Sequence, residues 1–133
     1  MGGMLATRFA LQYPSLVSQL ILVDPLGLEN WIAKGVPYQA IDLTYITEHA
    51  SNYTSIREYE ESTYYVDTWE PAYDVWVDML LQVYGGSEGV QYAWDQALIT
   101  DMVLTQPVIY ELGKLGGIQS LLVVGGKDNT AIG

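Results

Sequence analysis

The sequence predicts an α/β protein: two short strands of one parallel sheet, with a helical insert between them. Three observations lead there. Residues 17–23 and 118–124 are short, mostly apolar runs, each stopped by a turn signal, Asp24-Pro25 in the first case and Gly125-Gly126 in the second. Strands of this kind belong in a parallel sheet covered by helices. A helix-like stretch precedes the first run, opened by Gly2-Gly3 and closed by Pro14. The long middle has helical spacing, little strand signal and most of the aromatic residues.

The first helix is expected from Met1 to about Tyr13, because Leu5, Phe9 and Tyr13 recur every four residues with Ala6 and Ala10 beside them. Pro14 cannot continue it. Residues 17–23 then read as a buried strand, and Asp24-Pro25-Leu26-Gly27 as the loop that stops it. From about Gly27 to Gly113 the chain holds ten of its 11 tyrosines and all four tryptophans. There, Trp76, Met79, Leu80 and Val83 follow a three-four spacing ended by Gly85-Gly86. Tyr92, Asp95 and Gln96 lead into Ala97, Leu98 and Met102, and Pro71 and Pro107 mark breaks. After Gly116-Gly117, residues 118–124 read as a second buried strand. Two strands are few for such a sheet, so a larger domain is expected around them. The divisions read from this pattern are 1–27 and 115–133 for the sheet-forming part, and 28–114 for the helical insert.

Composition narrows the function. The 133 residues suit one domain. The chain has no cysteine, so it has neither a disulfide framework nor a thiolate zinc site, and its single histidine, His49, rules out a histidine-rich metal site. No metal or other cofactor is expected. No apolar run approaches the roughly 20 residues that span a bilayer. No membrane span is therefore expected; the compartment is not legible, and the expectation is a soluble protein, cytoplasmic, or periplasmic if an upstream segment carries a signal. Asn52-Tyr53-Thr54 fits a glycosylation triplet that carries no weight without secretion. Residues 41–113 hold 13 of the 16 acids and one base, Arg57, so the middle accounts for the whole net charge of −11. Phosphate backbones would be repelled, and nucleic acid is not an expected partner. The acids read either as a solvated helical surface or as a bias toward neutral and cationic ligands. Oligomeric state is not legible.

The stretch from Met1-Gly2-Gly3 through Ala6, Ala10 and Pro14 resembles the S-M-G-G-x-x-A-x-x-x-A-x-x-x-P pattern of the α/β-hydrolase superfamily. The order that follows, an apolar strand and then Asp24-Pro25, is similar too. So are Asp24-Pro25-Leu26-Gly27-Leu28-Glu29-Asn30-Trp31, Trp69, Asp101-Met102, the stretch from Thr105 to Glu111, and Lys127-Asp128-Asn129-Thr130-Ala131, which resemble one subgroup of these hydrolases. The resemblance implies a partial α/β-hydrolase fold with an inserted helical cap. It implies that Gly2 and Gly3 close a nucleophile elbow, whose serine would precede Met1. Met1 would then supply a backbone N–H to the oxyanion hole. The other reading of Gly2-Gly3 is a flexible lead after a start codon.

Asp128 follows the strand after the cap, where the superfamily places its triad acid, which orients the histidine and stabilises its charged form. Asp128 could instead be a turn aspartate capping a following helix. Asp24, at the end of the preceding strand, is the alternative acid, although Asp-Pro after a strand is also a common turn. His49 precedes Asp128, against the order nucleophile, acid, histidine, and reads as a surface residue. The base is therefore expected beyond Gly133, and the chain by itself is expected to be inactive and to fold poorly. Trp69, Trp76 and Trp94 are candidates to line a substrate pocket in the cap, with the cap's own core as the alternative. The implied activity is cofactor-free serine hydrolysis of an ester or related acyl bond, with a small apolar or cationic acyl substrate as partner. The alternative is a non-catalytic ligand-binding or interaction module on the same fold.

Overall fold

The computed structural model describes residues 1–127. It is an α/β structure with a two-stranded parallel sheet. The described residues form two compact units, one from Met1–Tyr38 with Met102–Gly126, the other within Gln39–Asp101.

The first unit opens with helix α1, Gly2–Gln12. Pro14 ends it by starting a short 3-10 turn, Pro14–Leu16, and the Tyr13 N–H donates to the Phe9 carbonyl at 2.8 Å. The buried side of α1 is Met4, Thr7 and Ala10, while Leu5, Phe9 and Tyr13 are about half exposed. The helix is where its periodicity predicts, but the expected bulky stripe faces away from the core. Where the helix runs close to strand β1, Gln19–Val23, a small residue lies underneath: Ala10 packs in one cluster with Leu20, Leu22 and Leu115. Thr7, fully buried, satisfies its hydroxyl by donating to the Gly3 carbonyl at 2.8 Å.

Strand β2 is Gln119–Val123. It pairs parallel with β1, Gln19 opposite Gln119 through Val23 opposite Val123. The Gln19 side-chain amide donates to that of Gln119 at 2.9 Å. The sequence predicts two buried strands, and the structure differs. In β1 only Leu20 and Leu22 are buried, and no residue of β2 is. Among the described residues, α1 and the 3-10 segment Ile109–Leu115 supply the packing of this pair through Ala10, Leu112 and Leu115.

A second cluster joins Met4 to Val103 and Val108, with Met1, Leu26, Leu28 and Trp31 against it. Here the segments 24–31 and 105–111 meet. The Val108 N–H donates to the Gly27 carbonyl at 2.8 Å, and Asn30 donates to the Tyr110 hydroxyl at 2.9 Å. Arg8 of α1 pairs with Glu111 at 3.2 Å and donates to the Gln106 carbonyl at 2.9 Å.

The other unit is helical: α2 (Ile41–His49), α3 (Tyr53–Thr63), a 3-10 turn (Pro71–Tyr73), α4 (Asp74–Gly85) and the start of α5 (Gly89–Thr105). Asn52 caps α3, accepting from the Thr54 and Ser55 N–H groups, and Ser55 reciprocates in a capping box. That capping role accounts for Asn52 without glycosylation. On α4 only Val77 is buried, whereas Trp76, Met79 and Val83 are exposed. The apolar residues buried in this unit are otherwise Ile56, Ala93 and Ala97.

Candidate active site

The carboxyl ends of the two strands converge with the amino end of α1. Gly3 sits against Pro25, the second residue after β1. A Cβ at Gly3 would lie 2.5 Å from the Pro25 Cβ and 3.2 Å from its Cα, so only glycine fits. Gly2 has open space where a side chain would be. Met1 is the N-cap of α1, and its carbonyl accepts from the Met4 N–H at 2.9 Å. The first N–H groups of a helix have no partner within it, and its dipole makes that end favourable for negative charge. In α/β sheets, the carboxyl ends of the strands are where ligands bind. Gly27 closes the loop after β1 with φ +83, beneath the Met4 side chain.

Asp24 lies at this convergence. Its backbone is left-handed, with φ 40, its N–H donates to the Val123 carbonyl at 2.9 Å, and its Oδ1 accepts from the Gly125 N–H at 2.8 Å. The structure thus brings Met1, Gly2, Gly3 and Asp24 to one end of the strand pair. Asp128, the expected acid, lies outside the described residues. The Asp24–Gly125 bond was not legible beforehand, although Asp followed by Pro after a strand signals a turn at this position.

The aromatic candidates are all in the helical unit, at separate places. Trp69 lines an open hollow of about 440 Å³ with Tyr53, Thr54, Arg57, Glu58, Pro71 and Asp74. Its indole N–H donates to Asp74 Oδ1 at 3.0 Å, Tyr53 donates to the same oxygen at 3.1 Å, and the Arg57 guanidinium stands 4.9 Å over the Trp69 ring. Tyr65 and Tyr73 stack beside it with centroids 4.0 Å apart. The chain reaches Trp69 through Val66 and Asp67, both left-handed (φ 53 and 55). Trp76 stands half exposed on α4, and Trp94 meets Tyr45 edge-on at 5.5 Å. Neither Trp76 nor Trp94 lines the Trp69 hollow.

Two further polar groups of this unit are Tyr84 and Glu60. Tyr84 donates to Glu48 at 2.6 Å, and burial first, then that carboxylate, push the phenol's pKa up. Glu60 is the one buried acid among the described residues. Its Oε2 has no partner there, and burial pushes its pKa above the usual carboxylate value. His49 is exposed at the end of α2, stacked on Tyr45. No group of three or more His, Cys, Asp or Glu among the described residues is arranged to hold a metal ion. No described helix is long and apolar enough to cross a membrane.

The chain is similar to a probable hydrolytic enzyme. That protein, from Pseudomonas aeruginosa PAO1 and known from its crystal structure, is 48% identical to this chain, with a TM-score of 0.87. The likeness covers 98% of this chain and 42% of that one, so the chain spans less than half the length of the protein it resembles. No protein-family model matches the chain, and no curated protein does.

Proposed function

We propose that this chain is the central part of a serine hydrolase of the α/β-hydrolase fold, cleaving an ester or related acyl bond. The observation that carries the reading is the contact of Gly3 with Pro25. It holds the amino end of α1 at the carboxyl ends of a parallel strand pair, with no room for a side chain. A nucleophile elbow needs that arrangement: a sharp strand-to-helix turn, glycine at its close contacts, and N–H groups aimed where an oxyanion forms. The similarity to a probable hydrolytic enzyme supports the same reading.

In this proposal the nucleophilic serine immediately precedes Met1 in the full-length protein, and the Met1 N–H is an oxyanion donor. Gly2 and Gly3 form the elbow, Asp128 is the triad acid, and a histidine beyond Gly133 is the base. The helical unit serves as the cap. The exposed faces of Leu121, Leu122, Val123 and Val124 are where the rest of the sheet and its covering helices would pack. Trp69, with its hollow, is the strongest of the aromatic substrate-lining candidates.

The cap's aromatics favour apolar or cationic acyl groups. Its acids, Glu60 apart, are not buried, so their repulsion of anions is screened by salt.

The test is labelling of the full-length protein with a fluorophosphonate, followed by mapping of the modified peptide. Modification of a serine directly before Met1, with hydrolysis of p-nitrophenyl esters, supports the reading. An unlabelled, folded protein without a serine there returns the chain to a binding or interaction role. A substrate panel sharpens it: rates should rise with acyl-chain length, and any handicap of anionic esters should vanish at high salt.

A further inference from the structure

We propose that the hollow at Trp69 takes an organic cation, and that the Arg57 guanidinium sits in the cation's place until the ligand displaces it. All the residues that line the hollow belong to the helical unit, and binding there does not depend on the hydrolase reading.

The walls of the hollow are held from several sides. Trp69 gives its indole N–H to Asp74 Oδ1 at 3.0 Å. Tyr65 and Tyr73, stacked on each other, both meet the indole edge-on, at 5.4 and 5.6 Å. Tyr53 donates to the same Asp74 oxygen at 3.1 Å, so two donors fix the carboxylate at the head of α4. Its other oxygen, Oδ2, accepts no hydrogen bond among the described residues. An aromatic face beside a fixed carboxylate suits an organic cation. The ring quadrupole and the carboxylate attract the charge, and the ring covers the carbon surface around it.

Charge decides between kinds of ligand. Arg57 is the only lysine or arginine among residues 39–101, against 12 acids. The other charged side chains lining the hollow are Glu58 and Asp74. Arg57 pairs with Glu61, one helical turn on, at 3.2 Å. Its charge is thus already met, and an anion would face the remaining carboxylates. A bare metal ion is not favoured either, since no three His, Cys, Asp or Glu among the described residues are grouped to hold one. An organic cation satisfies both the aromatic and the acidic walls. At about 440 Å³ the hollow has room for a small one.

Arg57 shows the pose. Its guanidinium stands 4.9 Å from the centre of the Trp69 ring, within cation–π reach. It is not locked there. The side chain is partly exposed, and its ion pair is with a residue of its own helix, so it can leave the ring and keep Glu61. Arg57 therefore acts as a resident competitor: the apparent affinity for an external cation falls with the fraction of time that the ring is covered.

Calorimetry on the full-length protein at constant ionic strength tests this, with choline and its uncharged isostere 3,3-dimethyl-1-butanol as probes. Choline should bind about tenfold tighter than the alcohol, or more. Arg57→Gln should tighten choline about three- to tenfold by clearing the ring. Asp74→Asn keeps an acceptor for Trp69 and Tyr53 but loses the charge, and should weaken choline about tenfold. Trp69→Leu should weaken it on the order of tenfold. Equal binding of the two probes, or binding of neither, would overturn the proposal. Unchanged or weaker binding in Arg57→Gln would overturn the part given to Arg57. Should Trp69→Leu fail to fold, the Arg57 and Asp74 variants still decide. Rates with p-nitrophenyl acetate tell the source of the cation. Competitive inhibition by choline, stronger in Arg57→Gln, makes the cation part of a substrate; binding without competition makes it a separate ligand. Both results uphold the site. If the wild-type protein hydrolyses no ester, the hydrolase reading fails, and the calorimetry alone decides.

Discussion

Around β1 and β2 the close fits join segments distant in sequence, whereas in the helical unit the closest backbone fit is local: a Cβ at Gly89 would run into the Tyr84 carbonyl, at the turn between α4 and α5. Gly3 lies against Pro25 with no room for a Cβ, and Asp24 clasps the strand beside it through one N–H and one carboxylate oxygen. In the helical unit, contacts between helices and their connecting segments are made by side chains: the Tyr84–Glu48 hydrogen bond, the Trp69 and Tyr53 donors on Asp74, and stacked tyrosines. Backbone fits allow few residue types, and they leave a motif in the sequence. Side-chain fits allow many, and they leave only a composition, here rich in tyrosine and acid.

The largest expected effect that would break this contrast is on catalysis. In the full-length protein, Asp128→Asn should reduce kcat by about three orders of magnitude or more with substrate binding nearly intact. The Trp69→Phe variant should act mainly on KM. Steady-state kinetics on a p-nitrophenyl ester series decides, and the reverse ranking would place the chemistry in the helical unit.

Next comes the glycine pair. Gly3→Ala should destabilise by about 2 kcal/mol through overpacking on Pro25. Gly2→Ala, with open space around it, should stay within about 1 kcal/mol, helped by alanine's better helix propensity. Thermal unfolding of the two variants measures the difference, and equal losses would refute the close fit.

In the helical unit a single hydrogen bond is the corresponding test. Tyr84→Phe should destabilise by about 1–2 kcal/mol in urea titration, since it removes a short, charge-assisted bond and leaves Glu48 without its donor.

The smallest expected effect belongs to Glu60. Burial lifts its folded-state pKa above the unfolded value, so protonation favours the folded form. The stability linked to this group is fullest in acid and is lost as pH rises through its range. Glu60→Gln imitates the protonated side chain. It should stabilise slightly at pH 7, by less than about 1 kcal/mol, and the gain should disappear toward pH 4. A gain that stays constant with pH would mean that shape, not charge, is responsible.

Much of the architecture was legible because it depends on punctuation. Pro14 stops α1 where its ring forbids continuation, Gly85-Gly86 marks the end of α4, Pro107 follows α5, and the turn signals at Asp24-Pro25 and Gly125-Gly126 bound two strands that do pair in parallel. The buried faces were less legible. Leu5, Phe9 and Tyr13 outweigh Met4, Thr7 and Ala10 in bulk, yet the second face is buried, Ala10 against Leu20 and Leu22 and Met4 against Val103 and Val108. On α4, Trp76, Met79 and Val83 have the right spacing but leave Val77 as the buried residue. Periodicity shows that a segment is helical. It does not choose a face when apolar residues occur on several.

Of the candidate site, the glycines and Asp24 could be found because turns demand particular residue types. The grip of Asp24 on Gly125 could not, since it joins positions 101 residues apart. Glu60 looked like any other acid of the middle, because burial is a property of its neighbours in space.

The register of β1 on β2 also sets a timetable. Gln19 and Gln119 are 100 positions apart, so the first strand leaves the ribosome well before its partner exists. At roughly 5–20 residues per second, the wait is about 5–20 s. Helices α2 to α4 need only neighbours close in sequence and can form during that interval, as local contacts do. Leu20 and Leu22 must meanwhile remain uncovered by β2, so the newborn β1 shows an unpaired apolar edge for the whole of that wait.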